Sequence, residues 1–452
     1  MLLNKSSTST RIKLSRFKLR LELPLFLLFA LAIHTTRKSI YDAFRLLQVN
    51  RMICSLLTEH CKVAKLIEQL TFRTKDIHKS LSIASSLLEE PLSSYLKGYI
   101  YTLYTIGSTL DYNEKWIVNS IENLEIVIKE KLNFTATLIE VLIIAATLLA
   151  LGVTLLGIVN GSVMILLLPI FLLATLILTY HIRIGLSELQ ISTRSRFTSA
   201  LIETFILLTT LYFFLTQSSN MTTMSLALLA LITSISYIYL YFNRIIELRA
   251  LGDLIYKFSE QARVLGHIKS IETRDLTVDK KSSRLSKYIA YAVKTGRLLQ
   301  EDKSKVSMIT AFTAYVLANM MRSGTYIARV LDKMADFFKK LYELEHCIIA
   351  RFVVYELVMT MGGLVNGLAI KALFSLSTSF DDIGIVPQFF ANIDVVTVYA
   401  ILLLALWLGS YAIATMLLDV PISIATPLTF LVYTVLLKMD VVLLPFHLSL
   451  PS

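Results

Sequence analysis

Long apolar runs, set apart by two polar and basic blocks, constrain this chain more than any motif in it. Seven stretches run roughly over 138–159, 163–180, 197–215, 224–242, 348–370, 395–416 and 422–437. Most approach or exceed the ~18 residues expected of a helix that crosses a bilayer. Only 17% of the residues are charged, against roughly a quarter in a soluble domain. With 15 Gly and 8 Pro in 452 residues, long helices are favoured over a turn-rich sheet. The expected fold is all-α: a polytopic membrane protein with about seven spans.

Charge gives the orientation. Residues 1–135, 183–196 and 243–350 hold 41 of the 44 Lys and Arg. The intervening loops, 160–162, 217–223 and 373–394, hold none, and the last carries Asp381, Asp382 and Asp394. The positive-inside rule then places the basic segments and the N-terminus in the cytoplasm of a multi-pass cell-membrane protein. A soluble chain of net charge +11 would point to nucleic acid. Because the charge segregates between apolar runs, membrane topology explains it and no nucleic-acid partner is expected.

Five segments follow: a basic tail (1–22), a first cytoplasmic helical bundle (23–135), four spans (136–242), a second cytoplasmic bundle (243–347) and about three further spans (348–452). The apolar run 23–33 is too short to span, and no small-residue cleavage site follows it. It reads as a buried helix from Pro24, in the first turn, to about Thr35. Breaks are expected near 91–94 and 107–113. Cys54 and Cys61, seven apart on one expected helix, read as core residues, and the odd cysteine count gives no disulfide framework.

The two polar blocks have the layout of copies. Each has 19 basic and 12 acidic residues. In the first, Gly107-Ser108-Thr109 precedes a charged helix that runs into an apolar stretch carrying Glu140. In the second, Gly324-Thr325 precedes one carrying Glu356. The offsets are 324 − 107 = 217 and 356 − 140 = 216.

Catalytic motifs are absent. The sequence contains no GxxxxGK[ST], HExxH, CxxC or GxSxG, so neither enzyme activity, nor a cofactor, nor a metal is expected. The candidate residues are instead the intramembrane acids Glu140, Glu203 and Glu356, since a charge costs ~3 kcal/mol or more in the bilayer. Gly363 and Gly367 have the GxxxG spacing that lets helices approach closely, within the chain or in a homo-oligomer. Lys and Arg near the membrane contact lipid head groups, but two whole basic bundles imply a cytoplasmic partner as well.

These features resemble the type II secretion F domain family, the membrane platform proteins of type II secretion systems and type IV pili. Glu22-Leu23-Pro24-Leu25-Phe26 is similar to the motif that opens its first cytoplasmic helix. Residues 39–47 (SIYDAFRLL) are similar to the helix that follows. Gly107-Ser108 and Ser323-Gly324 resemble its turn before the long helix, and Glu140 and Glu356 fall where the family has an acid. The chain departs from the pattern around Thr35-Thr36, and residues 308–318 replace a second Glu-Leu-Pro. Seven spans resemble the archaeal members, which include pilus and archaellum platforms.

The resemblance implies two tandem F domains, a hexameric secretion ATPase docked on the cytoplasmic bundles, and pilin-like subunits lifted from the membrane into a filament. Arg329, Lys333, Lys339 and Lys340 are then the candidate ATPase-docking surface. The competing reading is a transporter or channel, since these also combine internal repeats with intramembrane acids. A third is a membrane scaffold or sensor.

Overall fold

Helix α1 (Arg16–His34) shows how the polar block organises itself. Ser15 caps it, its hydroxyl accepting from the Lys18 N–H at 3.4 Å. Every residue from Leu21 to Ile33 is buried. A helix apolar on all sides belongs at the centre of a bundle, and α1 lies there. It begins earlier than its apolar run, so Pro24 sits inside the helix and not in its first turn. The lost N–H leaves the Arg20 carbonyl without its helical donor.

This computed structural model describes residues 14–36, 38–156, 193–216, 220–265, 280–295, 307–320, 327–381, 395–420 and 422–437. Among them every regular element is a helix. After α1 come α2 (Ile40–Val49), α3 (Arg51–Leu56), α4 (Thr58–Thr74), α5 (Ile77–Leu87), α6 (Leu92–Ile106) and α7 (Leu110–Leu156). There follow α8 (Thr193–Thr216), α9 (Asn220–Leu265), α10 (Lys280–Thr295), α11 (Met308–Met320), α12 (Ile327–Asp381), α13 (Val395–Leu418) and α14 (Ala425–Leu436).

Local chemistry sets several boundaries. Ser39 and Asp42 form a capping box on α2. Asp76 caps α5, accepting from the His78 and Lys79 amides at 2.8 and 3.2 Å. Helix α6 ends at Gly107, whose φ of 77° is left-handed and cheap for glycine alone. Leu57 interrupts the expected helix through Cys54 and Cys61. An unbroken helix would separate them by about 10.5 Å. The break brings their Cα atoms to 5.5 Å, and they form a disulfide, which corrects the reading of two separate core cysteines.

The chain divides into two compact units. A polar unit comprises Met1–Ile128 and Asn243–Glu345, and an apolar unit Lys129–Phe242 and His346–Ser452. In the polar unit α1 packs on α2, α4 and α11. Phe26 lies 4.7 Å from Phe44, and Phe29 lies 6.3 Å from Phe312, between ring centroids. All four rings are buried, each worth about 1.5–3 kcal/mol in water. In the apolar unit α13 packs on α8 and α14, with Tyr399 stacked on Tyr433 at 4.5 Å.

Helices α9, α12 and α13 are long and apolar enough to cross a membrane. The outward side of α12 is apolar, with Val354, Leu357, Met361, Val365 and Leu368 all exposed. Such a face is costly in water and natural in lipid. The described residues therefore hold three candidate spans, not the seven expected. The stretches 224–242, 348–370 and 395–416 fall on them. The stretch 197–215 falls on α8, whose apolar part, Leu201–Thr216, is shorter than a span needs. The stretch 422–437 gives the 12-residue α14, about 18 Å long, because its first residues are spent on a turn. The stretch 163–180 and the side chains of most of 138–159 lie outside the described residues.

Candidate functional site

Four glutamates each accept from the amides that open another helix. Glu356 of α12 is 2% exposed. Its Oε2 accepts from the Ile424 and Ala425 amides, both at 2.9 Å, and its Oε1 from the Ser410 hydroxyl. Glu203 of α8, 3% exposed, accepts from the Ser423 amide at 2.5 Å. Ser234 of α9 donates to the Ser423 carbonyl at 2.9 Å. Two carboxylates and a hydroxyl from three helices thus hold one turn, the start of α14. The first amides of a helix lack internal partners and carry the positive end of its dipole, so a carboxylate suits them.

The polar unit repeats the device. Glu22 of α1 accepts at 2.9 Å from the Thr58 hydroxyl and the Glu59 amide, and at 3.1 Å from the His60 amide, all at the start of α4. The His60 ring nitrogen Nδ1 also lies 3.1 Å from Glu22, and Phe26 stacks on that ring at 4.7 Å. Glu247 of α9 accepts from the Ser307 amide at 3.0 Å and the Thr310 hydroxyl at 2.7 Å, at the start of α11. Sequence reasoning singled out Glu22 only within a motif and passed over Glu247. The signal available was Ser307 with Thr310, hydroxyl residues at a helix start.

Glu140 is exposed on α7, unlike Glu356, its counterpart in the repeat. Gly363 and Gly367 of α12 face α13 and α14. A Cβ on Gly363 would stand 2.5 Å from Thr429 Cγ2 and 2.8 Å from Leu406 Cδ1, and one on Gly367 would collide with the Tyr433 ring. The hydroxyls of Tyr433 and Tyr399 donate to the bared carbonyls of Gly363 and Gly367, at 2.7 and 3.0 Å.

The candidate docking cations divide. Arg329 lies 3.9 Å from Glu114, and Lys340 lies 2.9 Å from Glu125. The Glu125 hydrogen bond raises the Lys340 pKa above its ordinary value. Lys339 is exposed and Lys333 partly so. The two ion pairs recur after equal steps, 125 − 114 = 11 on α7 and 340 − 329 = 11 on α12, so the helices run parallel there. Both pairs have an offset of 215 residues. In the apolar unit Arg351 binds the Leu132 carbonyl at 3.2 Å and the Asn133 side chain at 3.0 Å, at offsets of 219 and 218. These values bracket the 216–217 of the sequence repeat.

Among the described residues no group of three His, Cys, Asp or Glu is placed to hold a metal ion. The site is thus a set of internal helix caps, with helices α7 and α12 paired at the repeat offset. Comparison with protein-family models, curated proteins and solved structures finds no match.

Proposed function

We propose that this chain is the membrane platform of an archaeal type IV pilus-like or secretion machine. In this reading a hexameric secretion ATPase docks on the polar unit, and its movements reach pilin-like subunits held in the membrane beside the apolar unit. The chain sits in the cell membrane among its lipids, as a homo-oligomer, with seven spans and a cytoplasmic N-terminus.

One observation carries this reading. Helices α7 and α12 each run from polar into apolar sequence, and each draws residues from both units. Within each unit these two helices are tied side by side, at offsets of 215 residues in the polar unit and 218 and 219 in the apolar unit, which suits elements that bear load. The carboxylate caps serve the same end, because a helix start fixed by buried hydrogen bonds resists displacement.

The test is purification of the tagged chain from native membranes, scored for a secretion ATPase, together with filament assembly in cells with and without the gene. A secretion ATPase that never co-purifies, with filaments unaffected by deletion of the gene, would overturn the reading. A transporter or channel is the second reading, favoured by the buried Glu203 and Glu356. Their oxygens are engaged on the start of α14, which favours a structural role. Substrate-dependent flux in proteoliposomes would decide for transport.

A further inference from the structure

We propose that the ends of α4, α5 and α6 form a docking surface for a soluble protein partner that carries acidic residues around an apolar patch; the proposal rests on the platform reading above, with the ATPase as that partner.

The three helix ends meet at one corner of the polar unit. Helix α4 ends at Thr74, Lys75 turns the chain with a φ of 55°, and Asp76 starts α5. The His78 ring lies 5.6 Å from that of Tyr104, in the last turn of α6. Large apolar side chains stand outward here. Phe72 is 86% exposed, Tyr101 69% and Tyr104 70%. Lys97, Tyr101 and Tyr104 follow each other at i, i+4 and i+7, so they line one face of α6. No helix among the described residues covers that stripe, and exposed aromatic side chains at this density mark interaction surfaces.

Charge identifies the partner. Arg73 and Lys75 at the end of α4, Lys79 in the first turn of α5 and Lys97 on α6 are all exposed, and none has an acidic partner among the described residues. The Asp76 carboxylate is occupied by the α5 amides. Glu68, one turn before Phe72, is the nearby acid in α4. The cations of α12 are a poorer lure, because Arg329 and Lys340 already face Glu114 and Glu125. An unspent positive rim around aromatic anchors fits carboxylates around an apolar centre. The turn between α4 and α5 has a defined shape, set by the left-handed Lys75 and the Asp76 cap. Preorganised geometry rewards a protein partner of fixed shape, whereas a lipid surface has none.

The test is capture of the purified ATPase by the full chain in lipid nanodiscs. Tyr101→Glu with Tyr104→Glu, and separately Lys97→Glu, are compared with Lys339→Glu. All these positions are exposed, and a retained unfolding temperature confirms each fold. The proposal expects affinity to fall about tenfold or more at the corner, ~1.4 kcal/mol, and less than about twofold for Lys339→Glu. Wild-type affinity in the corner variants, with loss at Lys339→Glu, overturns the corner and leaves the platform reading standing. No capture by the wild-type chain overturns the platform reading itself. Quenching of the emission added by Tyr104→Trp with brominated anionic phospholipid would assign the corner to the membrane surface and also overturn the proposal.

Discussion

Glu140 and Glu356 lie 216 residues apart, each a few residues into an apolar run that follows a polar block, yet their surroundings differ. Glu140 is exposed on α7, whereas Glu356 is buried against the start of α14. The sequence around each looks alike: an acid a few residues into an apolar run. What separates them is a second helix whose first amides point at one acid. An intramembrane acid is thus defined by what opposes it, and equal position in a repeat does not supply that.

The strongest way to break this comparison is to remove both acids in turn. Glu356→Ala strands the Ile424 and Ala425 amides and the Ser410 hydroxyl, and should cost about 3–5 kcal/mol. Glu140→Ala should stay within about 0.5 kcal/mol. Unfolding temperatures in nanodiscs would measure both, and equal losses would mean that the difference in burial has no energetic content. Glu22→Ala tests the same device in the polar unit. It should cost about 2–3 kcal/mol and speed hydrogen exchange in the first turn of α4.

Smaller effects sharpen the contrast. Gly367→Leu drives a side chain into Tyr433, and overpacking of this kind costs about 1–3 kcal/mol. The loss should be largely relieved by Tyr433→Ala in the same chain, seen in the same melting assay. In the polar unit burial raises the Tyr95 phenol well above its ordinary value and the Tyr112 phenol to about 12. The unfolded chain ionises such phenols near 10, so their contribution is complete below pH 10 and fades as the pH climbs towards 12. Denaturant midpoints at pH 8 and 11 should show this fall, and Tyr112→Phe should reduce it. Last, Lys340→Ala should cost about 1 kcal/mol or less, since the Lys340–Glu125 pair is partly exposed and solvent screens it. A double-mutant cycle with Glu125→Ala would measure it.

Much of the secondary structure was legible in the chain. The break at Gly107 and the two long helices that run from the polar blocks into apolar sequence stand where glycine and hydropathy put them. The N-terminal apolar run is a buried helix, although Ser15 starts it sooner than Pro24 suggested. The candidate site was less legible. Glu203 and Glu356 stood out because acids are rare in apolar sequence. Their partners, Ser410 and the 423–425 turn, lie far along the chain and carry no recognisable signal, because a backbone amide looks the same at every residue. The ion pairs that occupy Arg329 and Lys340 were hidden for the same reason. Cys54 and Cys61 were read on one continuous helix because nothing at Leu57 announces a break.

By itself the sequence determined the helical class and the division into basic and apolar blocks. These follow from short-range periodicity and from the separate preferences of charge and hydrocarbon for water and lipid. Only the tertiary structure decided which acids are buried, which cations remain free and which glycines touch a neighbour. Those outcomes depend on pairs of groups tens to hundreds of residues apart, brought into contact by packing that local pattern does not encode.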